Sequence, residues 1–468
     1  MKIKVKNLGV LKQAEFELGD FTIICGENNT GKTYATYALF GFLSTWEGHF
    51  FVEIKNNEIE QLLNGNIINI DVNPYIKKYQ GILEHISQSY SQTLSNIFAT
   101  EEEKFEESSF QIIPETKMLH INKNNYRVEI KKTIAFPNDM SVLLEKFPDN
   151  NIITISVLGK KSFLEDIIKL ELFKNCVVDF LREIIFFKTF PTPFILSSER
   201  TGAATFRKQL NFARSRLLEQ MSRADAGVDL RGLLSNSYED YSWPIKTNLD
   251  FLENLSSIAK KSSFIAKHHP DILESFADLI GGKYTVTEND QLYYEPKNTK
   301  LRLTIDESSS AVRSLLNLGF YLRHLARPGD LLMIDEPELN LHPENQRRVA
   351  RLLARLVNLG IKVFITTHSD YIVKELNTLI MLNQDKPHLK RIAEVEGYQQ
   401  SELLKAEQIR VYIAEEAPVL LDGKKRKTKC QTLTPANIDP EMGIEARSFD
   451  KTIETMNRIQ EDIVWGAD

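Results

Sequence analysis

Residues 331–382 decide the fold, and they read LLMIDEPELNLHPENQRRVARLLARLVNLGIKVFITTHSDYIVKELNTLIML. The run LLMI and the segment KVFITT predict buried strands, because they are short, apolar and bounded by turn signals. Helical spacing predicts one helix over ENQRRVARLLARLVNL, ended by Gly360, and another over DYIVKELN; LIML predicts a last strand. Because parallel strands need helical crossovers, we expect an α/β fold, a mixed sheet with flanking helices.

The N-terminal stretch contains a phosphate-binding motif. Alternating apolar residues predict three short strands, the last being FTIIC, and TYALFGFL predicts a buried helix over residues 32–46. Between that strand and that helix lies the full G-x-x-x-x-G-K-[ST] pattern of a P-loop. The motif consists of Gly26, Glu27, Asn28, Asn29, Thr30, Gly31, Lys32 and Thr33. We expect Lys32 to reach the β and γ phosphates of a nucleotide and Thr33 to be a metal ligand for Mg²⁺.

Two further groups follow the strands of the regular segment. Asp335 and Glu336 come directly after LLMI, at the carboxyl end of a strand, where open α/β sheets place their ligands. We expect Asp335 to hold Mg²⁺ as a metal ligand and Glu336 to be the catalytic general base that polarises the attacking water. His368 follows the next strand at the same sheet edge and is the candidate for a catalytic contact with the γ-phosphate.

Composition limits the class of protein. The chain has 468 residues, 42% hydrophobic and 26% charged, which is typical of a folded protein of one large or two medium domains. Its net charge of -6 excludes a basic field over the whole protein that would attract nucleic acid. The three cysteines have no metal-ligand spacing, and no apolar run is long enough for a membrane helix. We therefore expect a cytoplasmic protein without structural zinc or disulfides.

The regularity of the sequence changes along the chain and suggests three parts. Residues 1–49 and 190–400 form the predicted main domain, residues 50–189 an inserted α+β subdomain, and residues 401–468 a C-terminal strand-helix tail. Within the insertion, apolar spacing predicts one long helix over residues 161–187. Residues 283–296, KYTVTENDQLYYEP, predict a β-hairpin.

The order of P-loop, LMIDEPELNLHP and FITTHS resembles the ABC-type ATPases of the non-transporter branch, which includes OLD-like and RecF-like proteins. The resemblance covers residues 1–45 and 190–385 and implies an ABC-ATPase-like P-loop NTPase head that uses ATP and Mg²⁺. It also implies a signature segment on the γ-phosphate held by a second subunit, and hence a homo-oligomer, at least a dimer. Ser308, Ser309 and Ser310 occupy that place, with Ala311 where the family commonly has glycine; a plain serine N-cap is the alternative.

Two other segments take their expected roles from the same resemblance. The turn Ser198-Glu199-Arg200 looks like the replacement of the family's lobe-linking glutamine, which implies Arg200 as a cofactor-binding phosphate contact or a switch contact. Residues 338–343, ELNLHP, look like the loop that communicates across the dimer. From the residues alone, Glu338 is only a loop residue.

Within this branch, GENNTGKTYATYALFGFL, SSERTG and SSSAVRSLLNLGFYL are similar to the PtuA-type ATPase subunits of Septu antiphage systems and related retron systems. That resemblance implies an ATPase that oligomerises and controls a small HNH nuclease, the PtuB-like product of a neighbouring gene. A RecF-like DNA repair ATPase that acts without a nuclease partner is the alternative. Intrinsic nuclease activity is not expected, since no Asp-x-Asp pair follows the ATPase part.

Nucleic acid remains a candidate partner through two local basic groups, Arg207–Arg216 and Gly423–Lys429. The second lies between VYIAEEAPVLL and another apolar-polar segment, and its favoured interpretation is the solvated turn of a hairpin. Without aromatic stacking partners, such clusters give at most non-specific phosphate binding that weakens with salt.

Overall fold

The computed structural model describes residues 1–52, 67–114, 129–136, 140–158, 171–205, 241–287, 291–445, 455–463 and 466. The strands are β1 Lys2–Leu8, β2 Leu11–Glu17, β3 Phe21–Cys25, β4 Ile67–Asp71, β5 Ser109–Ile113, β6 Ile130–Phe136, β7 Met140–Lys146, β8 Ile152–Leu158, β9 Thr192–Leu196, β10 Gly282–Val286, β11 Leu292–Pro296, β12 Leu303–Thr304, β13 Asp330–Asp335, β14 Lys362–Thr367, β15 Ile409–Val419, β16 Thr428–Pro435, β17 Ile438–Asp439 and β18 Gly443–Ile444.

The α-helices are α1 Lys32–Thr45, α2 Asn73–Lys77, α3 Tyr79–Ser91, α4 Leu94–Phe98, α5 Glu171–Ile185, α6 Trp243–Glu253, α7 Leu255–Ala259, α8 Phe264–His268, α9 Pro270–Ile280, α10 Ser310–Ser314, α11 Leu316–Phe320, α12 Pro343–Asn358, α13 Asp370–Met381 and α14 Pro387–Val395. Residues 200–205 and 455–463 are also helical. Within the described part of the chain, no helix is long and apolar enough to span a membrane.

The chain divides into two compact units. The larger unit comprises residues 3–42, 92–109 and 192–468, and the smaller one residues 1–2, 43–91 and 110–191. The expected insertion, residues 50–189, thus differs in an internal segment, 92–109, which joins the larger unit, and at its ends, since residues 43–49 and 190–191 join the smaller unit. Aromatic packing explains this difference, because Phe98 lies 5.1 Å from Tyr34 of α1, ring centroid to ring centroid, and stacks on Phe105.

A six-stranded mixed sheet in the order β16-β15-β3-β14-β13-β9 organises the larger unit. The strands from β15 to β9 run parallel, and β16 is antiparallel to β15. The side chains of β3, β13 and β14 are mostly apolar and buried, as expected of parallel strands covered on both faces. The expected α/β class with a mixed sheet and flanking helices is therefore confirmed.

The position of β15 corrects the expected domain boundary at residue 401. Val411 and Ile413 of this strand pair with Ile23 and Cys25 of β3 in the central sheet. The free edge of β3 needs partners for its backbone N–H and C=O groups, and the apolar strand β15 supplies them. Residues 409–435 are thus part of the main sheet, not of a separate tail.

The regular segment folds largely as its pattern predicts. Helix α12 begins at Pro343, with His342 as its N-cap, and its end is followed by Gly360 with a φ of 81°. The predicted strand LIML is wrong, because α13 continues through Leu379 and Ile380 to Met381. Those two residues extend the buried stripe of the same helix at helical spacing, which the short window LIML does not reveal.

The smaller unit contains an antiparallel sheet in the order β4-β8-β7-β6 together with α2, α3 and α5. Alternating apolar residues make one face of β8 buried, at Ile153, Ile155 and Val157. Of the helix predicted over residues 161–187, Glu171–Ile185 is confirmed, and residues 161–170 lie outside the described residues. The predicted β-hairpin over residues 283–296 is confirmed as the antiparallel pair β10 and β11.

Candidate functional site

The P-loop connects β3 to α1 and has the backbone conformation that its glycines permit. Gly26 has a φ of 144°, and a Cβ added there would lie 2.6 Å from the carbonyl oxygen of Ala414 on β15. The side chain of Lys32 is buried, and its Nζ donates to the carbonyl oxygens of Gly26, at 3.0 Å, and Glu27, at 2.7 Å. Burial lowers the pKa of Lys32, whereas the negative charges of nearby carboxylates raise it. The loop thus holds a cation against the start of a helix.

Asp335 lies beside the P-loop, as the strand order requires. Its Oδ2 accepts a hydrogen bond from Thr33 Oγ1 at 3.2 Å, and its Oδ1 accepts one from Thr366 Oγ1. Burial raises the pKa of Asp335 to about 6, although the hydrogen bonds from Thr366 and Thr33 lower it. The two expected metal ligands, 302 positions apart in sequence, therefore face each other.

Glu336 and His368 also meet at this sheet edge. The ring nitrogen Nδ1 of His368 lies 3.7 Å from Oε1 of Glu336, and both side chains are partly exposed to solvent. Glu336 has a φ of 55°, a left-handed conformation that is strained for a residue with a side chain. Its backbone N–H donates to the carbonyl oxygen of Thr366 at 3.1 Å, which holds the strained residue in place.

The side chain of Arg200 is not placed where it could bind a phosphate. Arg200 is only 2% exposed, and its guanidinium donates to the carbonyl oxygens of Ser314, Ser197, Asp335 and Glu336 at 2.6–3.0 Å. Burial lowers the pKa of Arg200, and the charges of the nearby carboxylates raise it. The expected phosphate contact is therefore corrected, because the guanidinium lies beneath the strand end and binds its backbone. A positioning role for the acid pair fits this geometry.

The three serines of the predicted signature differ in their surroundings. Ser309 and Ser310 are exposed, and Ser309 is the N-cap of α10, accepting from Val312 N at 3.3 Å. The Ser308 hydroxyl is buried and donates to the carbonyl oxygen of Ile305 at 2.6 Å, so it does not face outward with the other two. The N-cap of the alternative interpretation is present, and the two exposed serines remain candidates for an anion contact.

Glu338 is a site residue that the sequence interpretation missed. Its side chain is 6% exposed, and its Oε1 accepts from Thr367 Oγ1 and from the backbone N of His368, both at 2.8 Å. A buried carboxylate two residues after an acid pair belongs to the site and is not a solvated loop residue. The signal in the sequence was a third acid close behind the pair.

The two basic groups have different outcomes. Gly423–Lys429 occupies an exposed turn and the start of β16 in the antiparallel hairpin of β15 and β16, which confirms the expected solvated turn. Close by, Asp422 accepts from Lys4 Nζ at 2.8 Å. The group Arg207–Arg216 lies outside the described residues.

The donor set fits a nucleotide with a divalent cation. The hydroxyl of Thr33 and the carboxylate of Asp335 are hard oxygen ligands of the kind that Mg²⁺ prefers. Lys32 supplies a phosphate-binding charge, and Glu336 a carboxylate beside it. Together with the mixed parallel sheet, these features define an ABC-ATPase-like P-loop NTPase.

The family comparison agrees with this class. A family model described as "AAA ATPase domain" matches residues 1–373, and the chain belongs to this family. The chain is therefore an ATPase-domain protein. No curated protein is significantly similar to it.

Solved structures to which this chain is similar include heads of Smc proteins. One is an Smc head bound to the C-winged helix domain of ScpA. It is 11% identical to this chain in sequence, with a TM-score of 0.32, and the match covers 93% of this chain and 97% of that one. Another is the Smc head from Pyrococcus furiosus with an extended coiled coil, bound to the C-terminal domain of ScpA, at 11% and 0.31, covering 98% of each chain. A third is the Smc head domain from Thermotoga maritima, at 10% and 0.29, covering 93% of this chain and 98% of that one. Likeness at this level gives no basis for transferring partners or activity.

Proposed function

We propose that this chain binds and hydrolyses ATP with Mg²⁺ at the edge formed by the P-loop, β13 and β14, and that it works as the regulatory ATPase of a bacterial antiphage complex. The proposed ATP hydrolysis rests on the contact between Thr33 Oγ1 and Asp335 Oδ2, which are 3.2 Å apart and lie beside Lys32 and Glu336. This contact brings together the phosphate-binding and metal-binding halves of the site.

Each side chain has a distinct task in this proposal. Lys32 binds the β and γ phosphates, and Thr33 and Asp335 would hold Mg²⁺, which would offset charge on the transferred phosphoryl group. Glu336 accepts a proton from the attacking water, and His368 donates to the γ-phosphate. Arg200 keeps the backbone of Asp335 and Glu336 in place through its hydrogen bonds to their carbonyl oxygens.

In this proposal the chain forms a homo-oligomer that binds a small HNH nuclease from a neighbouring gene and restrains it while ATP is bound. This role is supported by the sequence resemblance to the Septu ATPase subunits and by Ser309 and Ser310, which are exposed at the start of α10. A second subunit could place its nucleotide against these serines. ATP acting as a structural ligand would shift the population of oligomers even when hydrolysis is slow.

The experiment that tests ATP binding and the complex with the nuclease is the solution mass of the protein, with and without ATP and Mg²⁺, after co-expression with its neighbouring gene. We expect a defined oligomer that contains the small nuclease. Lys32→Ala is the matched variant, because it removes the phosphate contact and should abolish the response to ATP. A protein that stays alone and dimerises only with ATP and DNA together would support the RecF-like alternative instead, with Gly423–Lys429 as the first candidate for the DNA contact.

A further inference from the structure

Glu338 has no role in the mechanism above, although it is among the most buried charged residues of the site. Its Oε1 accepts two hydrogen bonds from successive residues at the end of β14, Thr367 through its hydroxyl and His368 through its backbone N–H. Its Oε2 is buried and has no hydrogen-bond partner among the described residues. A buried ionisable group costs folding free energy, so such a placement calls for a specific task.

The imidazole of His368 lies against the same carboxylate. Its Nδ1 is 3.3 Å from Oε1 of Glu338 and 3.7 Å from Oε1 of Glu336, so two acceptors face this nitrogen. A carboxylate oxygen in this position accepts, so Nδ1 is the ring nitrogen placed to donate a hydrogen. The tautomer of a histidine is set by the partner of one ring nitrogen, which leaves the other for the reaction.

We propose that Glu338 is a positioning residue that fixes the Nδ1-protonated form and the orientation of His368, so that Nε2 points at the transferred phosphate. The inference rests on the proposed ATP hydrolysis at this edge. With both nitrogens protonated, His368 presents a cation and an Nε2–H donor to the phosphate. The carboxylates of Glu336 and Glu338 face its Nδ1, and Lys32 and Arg200 interact electrostatically with both of these carboxylates.

The same carboxylate also positions the backbone of β14. Thr367 donates its hydroxyl to Glu338 and accepts from the backbone N of Ser369 at 3.0 Å. Ser369 is the N-cap of α13 and accepts from Ile372 N. Glu338 thus connects the loop after β13 to the residues that start α13. His368 lies between these two fixed points, which restricts its backbone as well as its ring.

The variant Glu338→Gln separates charge from shape. Its amide oxygen can still accept from Thr367 and His368 N, and its amide nitrogen would take the place of the unpartnered Oε2. The charge beside Nδ1 is lost, and a buried acceptor atom becomes an amide donor. We expect kcat to fall about 10- to 100-fold with the KM for ATP nearly unchanged, as for other partners that orient a reacting group. The exposed Glu344→Gln on α12 is the matched control and should leave kcat unchanged.

The test combines a double-mutant cycle with a direct measurement of the ring. If Glu338 acts through His368, Glu338→Gln should cost nothing further in a His368→Ala background, whereas equal losses in both backgrounds would overturn the proposal. Long-range ¹H–¹⁵N spectra of histidine-labelled protein, assigned by the loss of signal in His368→Ala, should show protonated Nδ1 in the wild type and loss of that hydrogen in Glu338→Ala, which removes the acceptor. An unchanged spectrum would also overturn it. This spectrum requires no turnover, so it remains informative if the chain proves not to hydrolyse ATP.

Discussion

Replacing Arg200 by alanine should damage both the stability and the activity of the protein. The guanidinium makes four hydrogen bonds to backbone carbonyl oxygens, and three of these belong to Ser314, Asp335 and Glu336. Alanine would leave these buried acceptors unpaired and would also remove a positive charge from a cluster of carboxylates. Hydrogen bonds to a charged donor contribute about 1.5–3 kcal/mol each, but they are not additive within one group.

The total effect of Arg200→Ala on the free energy of unfolding can be estimated because Arg200 belongs to a buried charged network. Removing one side of a buried charged network costs about 3–5 kcal/mol. In a unit of more than 300 residues, the unfolding entropy is so large that each kcal/mol lowers Tm by about 1.5 °C. We therefore expect a loss of about 4–8 °C in a thermal unfolding experiment. Arg302→Ala is the control, since its half-exposed guanidinium pairs with Glu295 at the surface and should contribute about 1 kcal/mol or less.

The activity assay distinguishes positioning from simple stabilisation. ATP turnover is measured at a temperature where Arg200→Ala is still fully folded. Because Arg200 holds the carbonyl oxygen of the strained residue Glu336, we expect kcat to fall at least 10-fold, with a smaller change in KM. Full turnover by a folded Arg200→Ala protein would refute the positioning role. An unchanged Tm would refute the energetic argument.

Three other outcomes follow from the same contacts. Lys32→Ala should abolish ATP binding measured by calorimetry, because a charge-assisted phosphate contact is lost. Glu336→Gln should bind ATP but release phosphate at least about 100-fold more slowly if this residue is the general base; normal turnover would contradict that assignment. Hydrogen bonds from Lys4 and Lys6 lower the pKa of Asp422 to about 2. The stability they contribute is present above pH 4, is lost as the pH falls through 2, and amounts to less than about 1 kcal/mol because Asp422 is half-exposed; Asp422→Asn should therefore change Tm slightly at pH 7 and not at all well below pH 2.

The sequence predicted the parts of the fold that local patterns determine. The P-loop needs a strand before it and a helix after it, and the acid pair needs the end of a buried strand; β3, α1 and β13 supply them. Because the carboxyl ends of parallel strands share one edge, the proximity of Thr33, Asp335 and His368 was also predictable. Their exact roles as ligands remain predictions of the pattern.

The positions that local patterns could not predict depend on contacts between distant segments. β15 joins β3 across nearly 400 residues, so no window of the sequence shows that residues 409–435 complete the sheet. The strand predicted over LIML failed for the opposite reason, since four apolar residues fit a buried strand and the end of a buried helix equally well. Arg200 binds backbone carbonyl oxygens, which every residue has, so no side-chain pattern in the sequence indicates these contacts.

Electrostatics explain why Arg200 and Glu338 belong to one arrangement. The end of β13 carries three carboxylates within four residues, and mutual repulsion would push them apart or protonate them. Lys32 and Arg200 supply the opposing charges, one from the nucleotide side and one from beneath the strand. Arg200 is bound entirely to backbone, so it stabilises the negative charges without pairing with any one of them. Glu336 therefore keeps an oxygen free for water and Glu338 keeps one for the imidazole, which a direct carboxylate–arginine pair would have occupied.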